Sequence, residues 1–145
     1  MLRLLSLLCF SLILFFGCSE DPQTESPILG PQSQIIVSMI EAVNQKDAKA
    51  YVRGFAPDVQ VFVESEEKIS NRQNLMANRS NHFQSHPHVR SEIQHLVEID
   101  NRVIMHDKVW LDESDIQGQD IVEIFTFRDG EVIRVDVIQP QDLFR

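Results

Sequence analysis

The stretch "DIVEIFTFRDGEVIRVDVI", residues 120–138, decides the fold because it holds two apolar segments joined by a turn dipeptide. Asp129-Gly130 favours a two-residue hairpin turn, so the stretch predicts a β-hairpin. Glu123 lies in the middle of the first strand, and both faces of that strand are largely apolar. Alternation therefore leaves three interpretations of Glu123 open: an acid in a pocket, an ion-pair partner of Arg134, or a solvated carboxylate at an edge.

The N-terminal segment has the pattern of a secretory signal. Arg3 precedes an apolar run from Leu4 to Phe16, and Gly17-Cys18 follow. The run is shorter than the roughly 20 residues that a membrane-spanning helix needs. We therefore expect residues 1–17 to be a signal peptide.

The ending "LFFGC", residues 14–18, resembles the bacterial lipobox, although Phe16 is larger than the residue usual there. This resemblance implies that Cys18 carries lipid such as palmitate, so that the protein is anchored to a membrane and does not span it. Ser19 after the cysteine implies the bacterial outer membrane. Residues 18–32 hold three prolines among polar residues and are expected to form a flexible tether, with one folded domain over residues 33–145.

Charge and cysteine content exclude several classes of function. Loss of residues 1–17 removes Arg3 and takes the net charge from −9 to −10, which argues against a nucleic acid partner. Cys9 leaves with the signal, so Cys18 is the one cysteine left and no intramolecular disulfide is expected. The sequence has five glycines, no phosphate-binding glycine-rich loop and no nucleophile-elbow pattern. We expect no cofactor.

The order of elements predicts an α+β fold. Helical spacing from Ser33, with Ser33 as N-cap, and a short helix capped by Asp47 come first; a valine-rich strand, a polar helix near residues 70–86 and four antiparallel strands follow. In the strand after Pro87, Val89, Ile93, Val97 and Ile99 are predicted to share a buried face with His95. We therefore expect a curved antiparallel sheet packed on N-terminal helices.

Four local phrases resemble the nuclear transport factor 2-like superfamily, specifically its SnoaL-like and ketosteroid isomerase-like branches. They are "NQKDAKAYVRGFAPDVQVFV" (44–63), "HPHVRSEI" (86–93), "VIMHDKV" (103–109) and "FRDGEVIRVDV" (127–137). Together they span most of the folded part. The resemblance implies an α+β cone enclosing a pocket, on a scaffold that hosts enzymes, binding proteins and assembly domains.

The isomerase mechanism needs a carboxylate base and two groups that stabilise an enolate, a tyrosine and a protonated acid. By resemblance the base position falls at Val63, the tyrosine position at Met39 and the acid position at Glu123. The base and the tyrosine are therefore absent, so steroid-type isomerisation is not expected. A pocket around Glu123 is expected to be lined by six apolar side chains: Met39, Val61, Val63, Phe125, Val135 and Val137.

Other polar residues have two interpretations each. His82, His86 and His88 could bind a metal or end a polar helix, and we assign no metal site. His95 and His106 could join Glu123 as an acid–base set. Asp136 pairs with Arg134 on a half-exposed face or has a catalytic role.

Three functions remain open from the sequence. The first is a binding module for a small hydrophobic or amphipathic ligand, favoured by the absent base and tyrosine. The second is a SnoaL-like isomerase, cyclase or dehydratase that uses Glu123 with His95 or His106. The third is an assembly or scaffolding domain, and the resemblance implies a homodimer formed through the sheet.

Overall fold

The computed structural model describes residues 29–140, so the predicted signal segment and Cys18 lie outside the described residues. Three helices, one short 3-10 helix and six strands follow one another in this part of the chain. None of the helices within residues 29–140 is long and apolar enough to cross a membrane. The elements are α1 (Pro31–Gln45), α2 (Ala48–Tyr51), a 3-10 turn (Val52–Gly54), β1 (Phe55–Val63), β2 (Glu66–Ile69), α3 (Arg72–Ser85), β3 (Arg90–Ile99), β4 (Arg102–Trp110), β5 (Gln119–Arg128) and β6 (Glu131–Ile138).

The predicted hairpin lies at the centre of the sheet. The strand order is β2-β1-β6-β5-β4-β3, so β5 and β6 each have a neighbour on both sides. Asp129 and Gly130 adopt φ of 54° and 82°, the positive values that a two-residue hairpin turn of this hand requires. The sheet and its preceding helices confirm the α+β fold.

Two features of the sheet were not predicted. Strand β1 pairs with β6 in parallel, whereas every other pair is antiparallel. Strand β2 folds back on β1 through Glu64 and Ser65, both at positive φ. Its sequence "EEKI" is mostly charged and exposed, so it gives no apolar alternation from which a strand could be predicted.

Helix α2 starts where its capping residue predicts, whereas α1 starts earlier than predicted. Asp47 caps α2 as predicted, because its carboxylate accepts a hydrogen bond from the Ala50 amide at 2.8 Å. Helix α1 begins at Pro31 and not at Ser33. The Ser33 amide is instead bonded at 2.8 Å to the Glu98 carboxylate on β3, which ties the helix start to the sheet.

The predicted buried face of β3 is wrong for the second half of the strand, from His95 onward. Ile93 pairs with Asp107 and His95 with His106, so Gln94 is an extra residue that forms a bulge. The bulge reverses the alternation, and His95 now lies on the exposed side. Val97 and Ile99 follow it there, at 48 % and 56 % exposed.

A second bulge changes which side chains of β6 face the core. Thr126 pairs with Arg134 and Phe127 with Val132, which leaves Ile133 as the extra residue. Val132 is therefore fully buried, on the face opposite to Arg134. Such bulges increase the twist and bend of a strand, and here they curve the sheet around the helices.

Helix α1 holds the edge strand β3 through a paired amide contact. The Asn44 side chain donates to the Ser91 carbonyl at 2.9 Å and accepts from the Ser91 amide at 2.8 Å. Both backbone groups of an edge residue are thereby satisfied by one side chain. This contact fixes Ser91, whose hydroxyl takes part in the site described below.

We expect Asn44→Ala to lower the free energy of unfolding by about 1–3 kcal/mol, because it leaves both Ser91 backbone groups without their partner. Urea denaturation of the variant and the wild type measures this difference. Gln45→Ala, at the neighbouring exposed position of α1, is the control and is expected to change stability little. Equal stability of the two variants would contradict the role assigned to Asn44.

Candidate functional site

A cavity of about 740 Å³ lies between the concave face of the sheet and helix α3. Strands β1, β4, β5 and β6 supply its sheet wall, and β2 lies at its edge. About half of the lining residues are apolar and the rest are polar or charged, which suits a small amphipathic molecule. The aliphatic side chains that line it include Ile40, Val43, Val61, Val63, Ile69, Leu75, Val89, Val109, Leu111, Ile121, Val135 and Val137.

Glu123 lies on the cavity side of the sheet. It pairs with Met105 on β4 and with Val137 on β6, and its side chain lines the cavity. Burial and, to a smaller extent, the charge of Asp107 raise the pKa of its carboxyl to about 8, against the opposing charge of Arg79. Glu123 is therefore mostly protonated at neutral pH and can donate a hydrogen bond into the cavity.

Asp107 is a second carboxyl on the same wall, and it was missed in the sequence. It is only 3 % exposed, and the Ser91 hydroxyl donates to its Oδ2 at 2.5 Å. Its Oδ1 is buried and has no hydrogen-bond partner within the described residues. Burial raises the pKa of Asp107 above its ordinary value, while the Ser91 hydrogen bond lowers it.

The strand register explains why the two carboxyls are neighbours. Asp107 pairs with Ile121 and Met105 pairs with Glu123, so Asp107 and Glu123 are diagonal neighbours on one face. The alternation of Val103, Met105, Asp107 and Val109 was a signal in the sequence that could have placed Asp107 inside. A charge on Asp107 raises the pKa of Glu123, so an ionised Asp107 that accepts favours a protonated Glu123 that donates.

Tyr51 and Arg79 complete the polar part of the wall. Tyr51 lines the cavity from α2, and burial raises the pKa of its phenol. The Arg79 guanidinium lies 5.8 Å from the centre of the Tyr51 ring and donates to the Asn78 amide oxygen. Its charge acts on Glu123 and Tyr51, so these groups form one electrostatic cluster.

Two of the three clustered histidines line the cavity. His82 and His86 lie one turn apart at the end of α3, with ring centres 4.8 Å apart. Burial, then Arg79 and His86, lower the pKa of His82 to about 4, so its ring is neutral at pH 7. His88 turns away and lies 3.2 Å from Glu113. Across residues 29–140, no group of three or more His, Cys, Asp or Glu side chains is arranged to hold a metal ion.

The six apolar side chains predicted to line the pocket lie in two regions of the structure. Val61, Val63, Val135 and Val137 line the cavity beside Glu123. Met39 and Phe125, only 3 % and 1 % exposed, pack in the hydrophobic core instead. Ile40 and Val43 on the same helix do line the cavity, so Met39 lies at a different position around α1.

The structure does not bring His95 and His106 together with Glu123. Both lie on the outer face of the sheet, where their stacked rings approach at 3.2 Å between the two Nδ1 atoms. His106 Nε2 also lies 2.9 Å from the Asp120 carboxylate. The bulge at Gln94 is the reason that His95 is on this face.

Asp136 is also on the outer face, where it pairs with Arg134. The guanidinium donates to both carboxylate oxygens, at 2.7 Å and 2.5 Å, and stacks on the Phe62 ring. Arg134 is therefore on the opposite side of the sheet from Glu123. Of the interpretations of Glu123, the pocket acid agrees with this geometry, whereas the ion pair with Arg134 does not.

The outer face of the sheet also carries exposed aliphatic side chains. Val97 on β3 pairs with Ile104 on β4, and Ile104 pairs with Ile124 on β5. Val97, Ile99, Ile104 and Ile138 are all exposed large hydrophobics. A surface of this kind is typical of contact with another protein.

Comparison with known families agrees with this geometry. The model of the SnoaL-like domain family matches residues 36–135, which is more than half of the chain. The chain belongs to the SnoaL-like family. The matched region contains every cavity residue discussed above except Val137. The family match places the fold in the nuclear transport factor 2-like superfamily. No curated protein matches the sequence.

Solved structures share the fold at low sequence identity. An uncharacterised cystatin-fold protein from Novosphingobium aromaticivorans is 19 % identical with a TM-score of 0.68, over 76 % of this chain and 98 % of that one. An NTF2-like protein of unknown function from Burkholderia xenovorans is 20 % identical with a TM-score of 0.65, over 79 % and 87 %. A candidate ketosteroid isomerase from Kribbella flavida is 16 % identical with a TM-score of 0.64, over 79 % and 82 %.

The raised pKa of Glu123 predicts how stability depends on pH. The folded protein keeps a proton until about pH 8 that the unfolded chain releases near 4.5, so stability should fall as pH rises between these values. Glu123→Gln should remove much of this fall, which denaturation at pH 5, 6.5 and 8 measures. Glu92→Gln, at an exposed position of β3, is the control. A Glu123→Gln variant with the wild-type pH dependence would contradict the assignment.

Proposed function

We propose that this chain is an envelope-anchored binding protein whose cavity holds a small hydrophobic or amphipathic ligand. The observation that carries the proposal is an acid, Glu123, among valines on the sheet wall of a cavity of about 740 Å³. Such a cavity with a few convergent polar groups is the usual form of a small-molecule site. The family alone does not carry this conclusion, because one fold hosts many functions.

The ligand's apolar part would lie along the aliphatic wall and its polar end at the carboxyl pair. Val61, Val63, Val135 and Val137 surround Glu123 on neighbouring strands. Protonated Glu123 would donate a hydrogen bond to the ligand, and this bond would set its orientation. Burial of the apolar part would supply most of the affinity, at roughly 25 cal/mol per Å² removed from water.

The residues at two positions favour binding over steroid-type isomerisation. Val63 lines the cavity at the position of the isomerase base and has no group that could take a proton. Met39 is buried in the core at the position of the isomerase tyrosine. Of the three positions that the resemblance assigns, Glu123 keeps its group, whereas Tyr51 and Asp107 line the cavity from other positions.

Enzymatic activity is the second candidate, and one observation favours it. Asp107 and Glu123 are an acceptor and a donor on one wall, so a bound molecule could lose a proton to one and gain a proton from the other. This pairing replaces His95 and His106, which lie on the other side of the sheet. An isomerase, cyclase or dehydratase of SnoaL-like type would use Glu123 as its acid, and the Kribbella flavida relative is by name a candidate ketosteroid isomerase.

Assembly through the sheet is a third candidate. It is favoured by the exposed outer face, where Val97, Ile99, Ile104 and Ile138 would be covered in a homodimer. This face is on the other side of the sheet from the cavity, so dimerisation and ligand binding are compatible.

Native mass spectrometry of the purified full-length chain tests the first proposal. We expect a non-covalently bound small molecule on the wild type. Glu123→Gln, which keeps a hydrogen-bond donor, should retain it, whereas Glu123→Leu should lower its occupancy without unfolding the domain. The same spectra report whether a dimer forms.

Three outcomes separate the candidates. An empty cavity in a stable dimer would contradict the binding proposal and favour assembly. If the same fraction of the wild type and of Glu123→Leu carries the ligand, Glu123 does not contribute to ligand binding. Once the molecule is identified, turnover by the wild type that Glu123→Gln abolishes would establish the enzyme, and equal turnover would exclude Glu123 as its acid.

The anchor is tested separately at Cys18. Cells that produce the chain and are fed an alkyne analogue of palmitate should label the wild type, and Cys18→Ser should abolish the label. Cell fractionation should find the wild type in the outer membrane and the Cys18→Ser variant in the soluble periplasm. Label that persists in Cys18→Ser would contradict lipidation at this residue.

A further inference from the structure

Asp107 is a buried carboxylate with one oxygen left without a partner. Its side chain lines the cavity, its Oδ2 accepts from Ser91 and its Oδ1 accepts from no group among residues 29–140. A buried acceptor that stays unpaired costs about 1–3 kcal/mol, and more when it is charged. A ligand that donates to Oδ1 would remove this cost.

The charges around Asp107 favour a positive donor over a neutral one. His106 is its basic neighbour, but that ring lies on the outer face and is held by Asp120. Arg79 acts on Glu123 and Tyr51 and is bonded to Asn78. Asp107 therefore carries its charge into the cavity without a cationic side chain bonded to it in the described part of the chain.

The remaining charged groups that line the cavity balance one another. They are Glu64 and Glu66, near the turn between β1 and β2, and the cations Lys68 and Arg79. Lys68 lies 2.6 Å from Glu66. With Glu123 neutral, Asp107 is the source of the net negative charge of the lining, which favours a cation over an anion.

We propose that the cavity takes an amphipathic amine, with its protonated nitrogen bonded to Asp107 Oδ1 and its apolar part along the valines. This inference rests on the proposed binding function and names the ligand class. Ser91 fixes the carboxylate for this contact, since Asn44 holds the Ser91 backbone and the Ser91 hydroxyl occupies Oδ2. Glu123 would lie beside the nitrogen as a neutral group.

Three probes with the same apolar part test the ligand class: 4-phenylbutylamine, 4-phenylbutan-1-ol and 4-phenylbutanoate. Isothermal titration calorimetry with the full-length chain at pH 7 measures their affinities. We expect the amine to bind at least about tenfold more tightly than the alcohol, because a charged ammonium binds a carboxylate more strongly than a neutral hydroxyl does. Tenfold corresponds to about 1.4 kcal/mol. The carboxylate should bind most weakly.

Variants assign the preference to Asp107. Asp107→Asn keeps the shape and loses the charge, and should bring the amine within about threefold of the alcohol. Glu92→Gln removes a carboxylate from an exposed position of β3 outside the cavity, and should keep the amine preference. The ranking of the probes on the wild type needs no variant, so it stands even where Asp107→Asn fails to fold.

The outcomes distinguish this inference from the function on which it rests. If none of the three probes binds, the proposed binding function fails together with the inference. If the alcohol or the carboxylate binds as tightly as the amine, the inference is wrong and the binding function stands. An amine preference that survives in a folded Asp107→Asn variant would also contradict the inference.

Discussion

The register of the central hairpin is the constraint on which the site depends. Strands β5 and β6 lie in the middle of the sheet, and their pairing with each other, β4 and β1 directs Glu123 to the concave face. Because side chains alternate along a strand, a slip by one residue would move Glu123 to the outer face. The Asp129-Gly130 turn and the two bulges fix that register.

The same register creates the electrostatics of the cavity. It makes Asp107 and Glu123 diagonal neighbours on an apolar wall, where the ionised form of a carboxyl is disfavoured. Two carboxyls so placed do not ionise together, and the pair separates into a donor and an acceptor. On the other side of the sheet, Arg134 with Asp136 and His106 with Asp120 are ordinary half-exposed pairs. The sheet thus separates the cavity face, which carries the two carboxyls, from an outer face with exposed aliphatic side chains.

Local signals in the sequence predicted most helices and strands. Which face of each strand is buried depends on how distant strands pair. The turn dipeptide and the Asp47 cap act within a few residues, so the hairpin and α2 were predicted. The bulge at Gln94 depends on how β3 pairs with β4, and it moved His95 to the outer face. For the site, Glu123 was found through the family resemblance, while the role of Asp107 required knowledge of which face of β4 is buried.

The central claim is that Glu123 is a neutral acid in the cavity at physiological pH. Titration of its side-chain carboxyl by carbon-13 NMR, assigned with the Glu123→Gln variant, measures this state directly. The account predicts a pKa of about 8 in the ligand-free protein, because burial and the Asp107 charge both favour the proton. A carboxyl that titrates near its ordinary value of 4.5 would show that Glu123 is ionised and solvated, and would contradict the account.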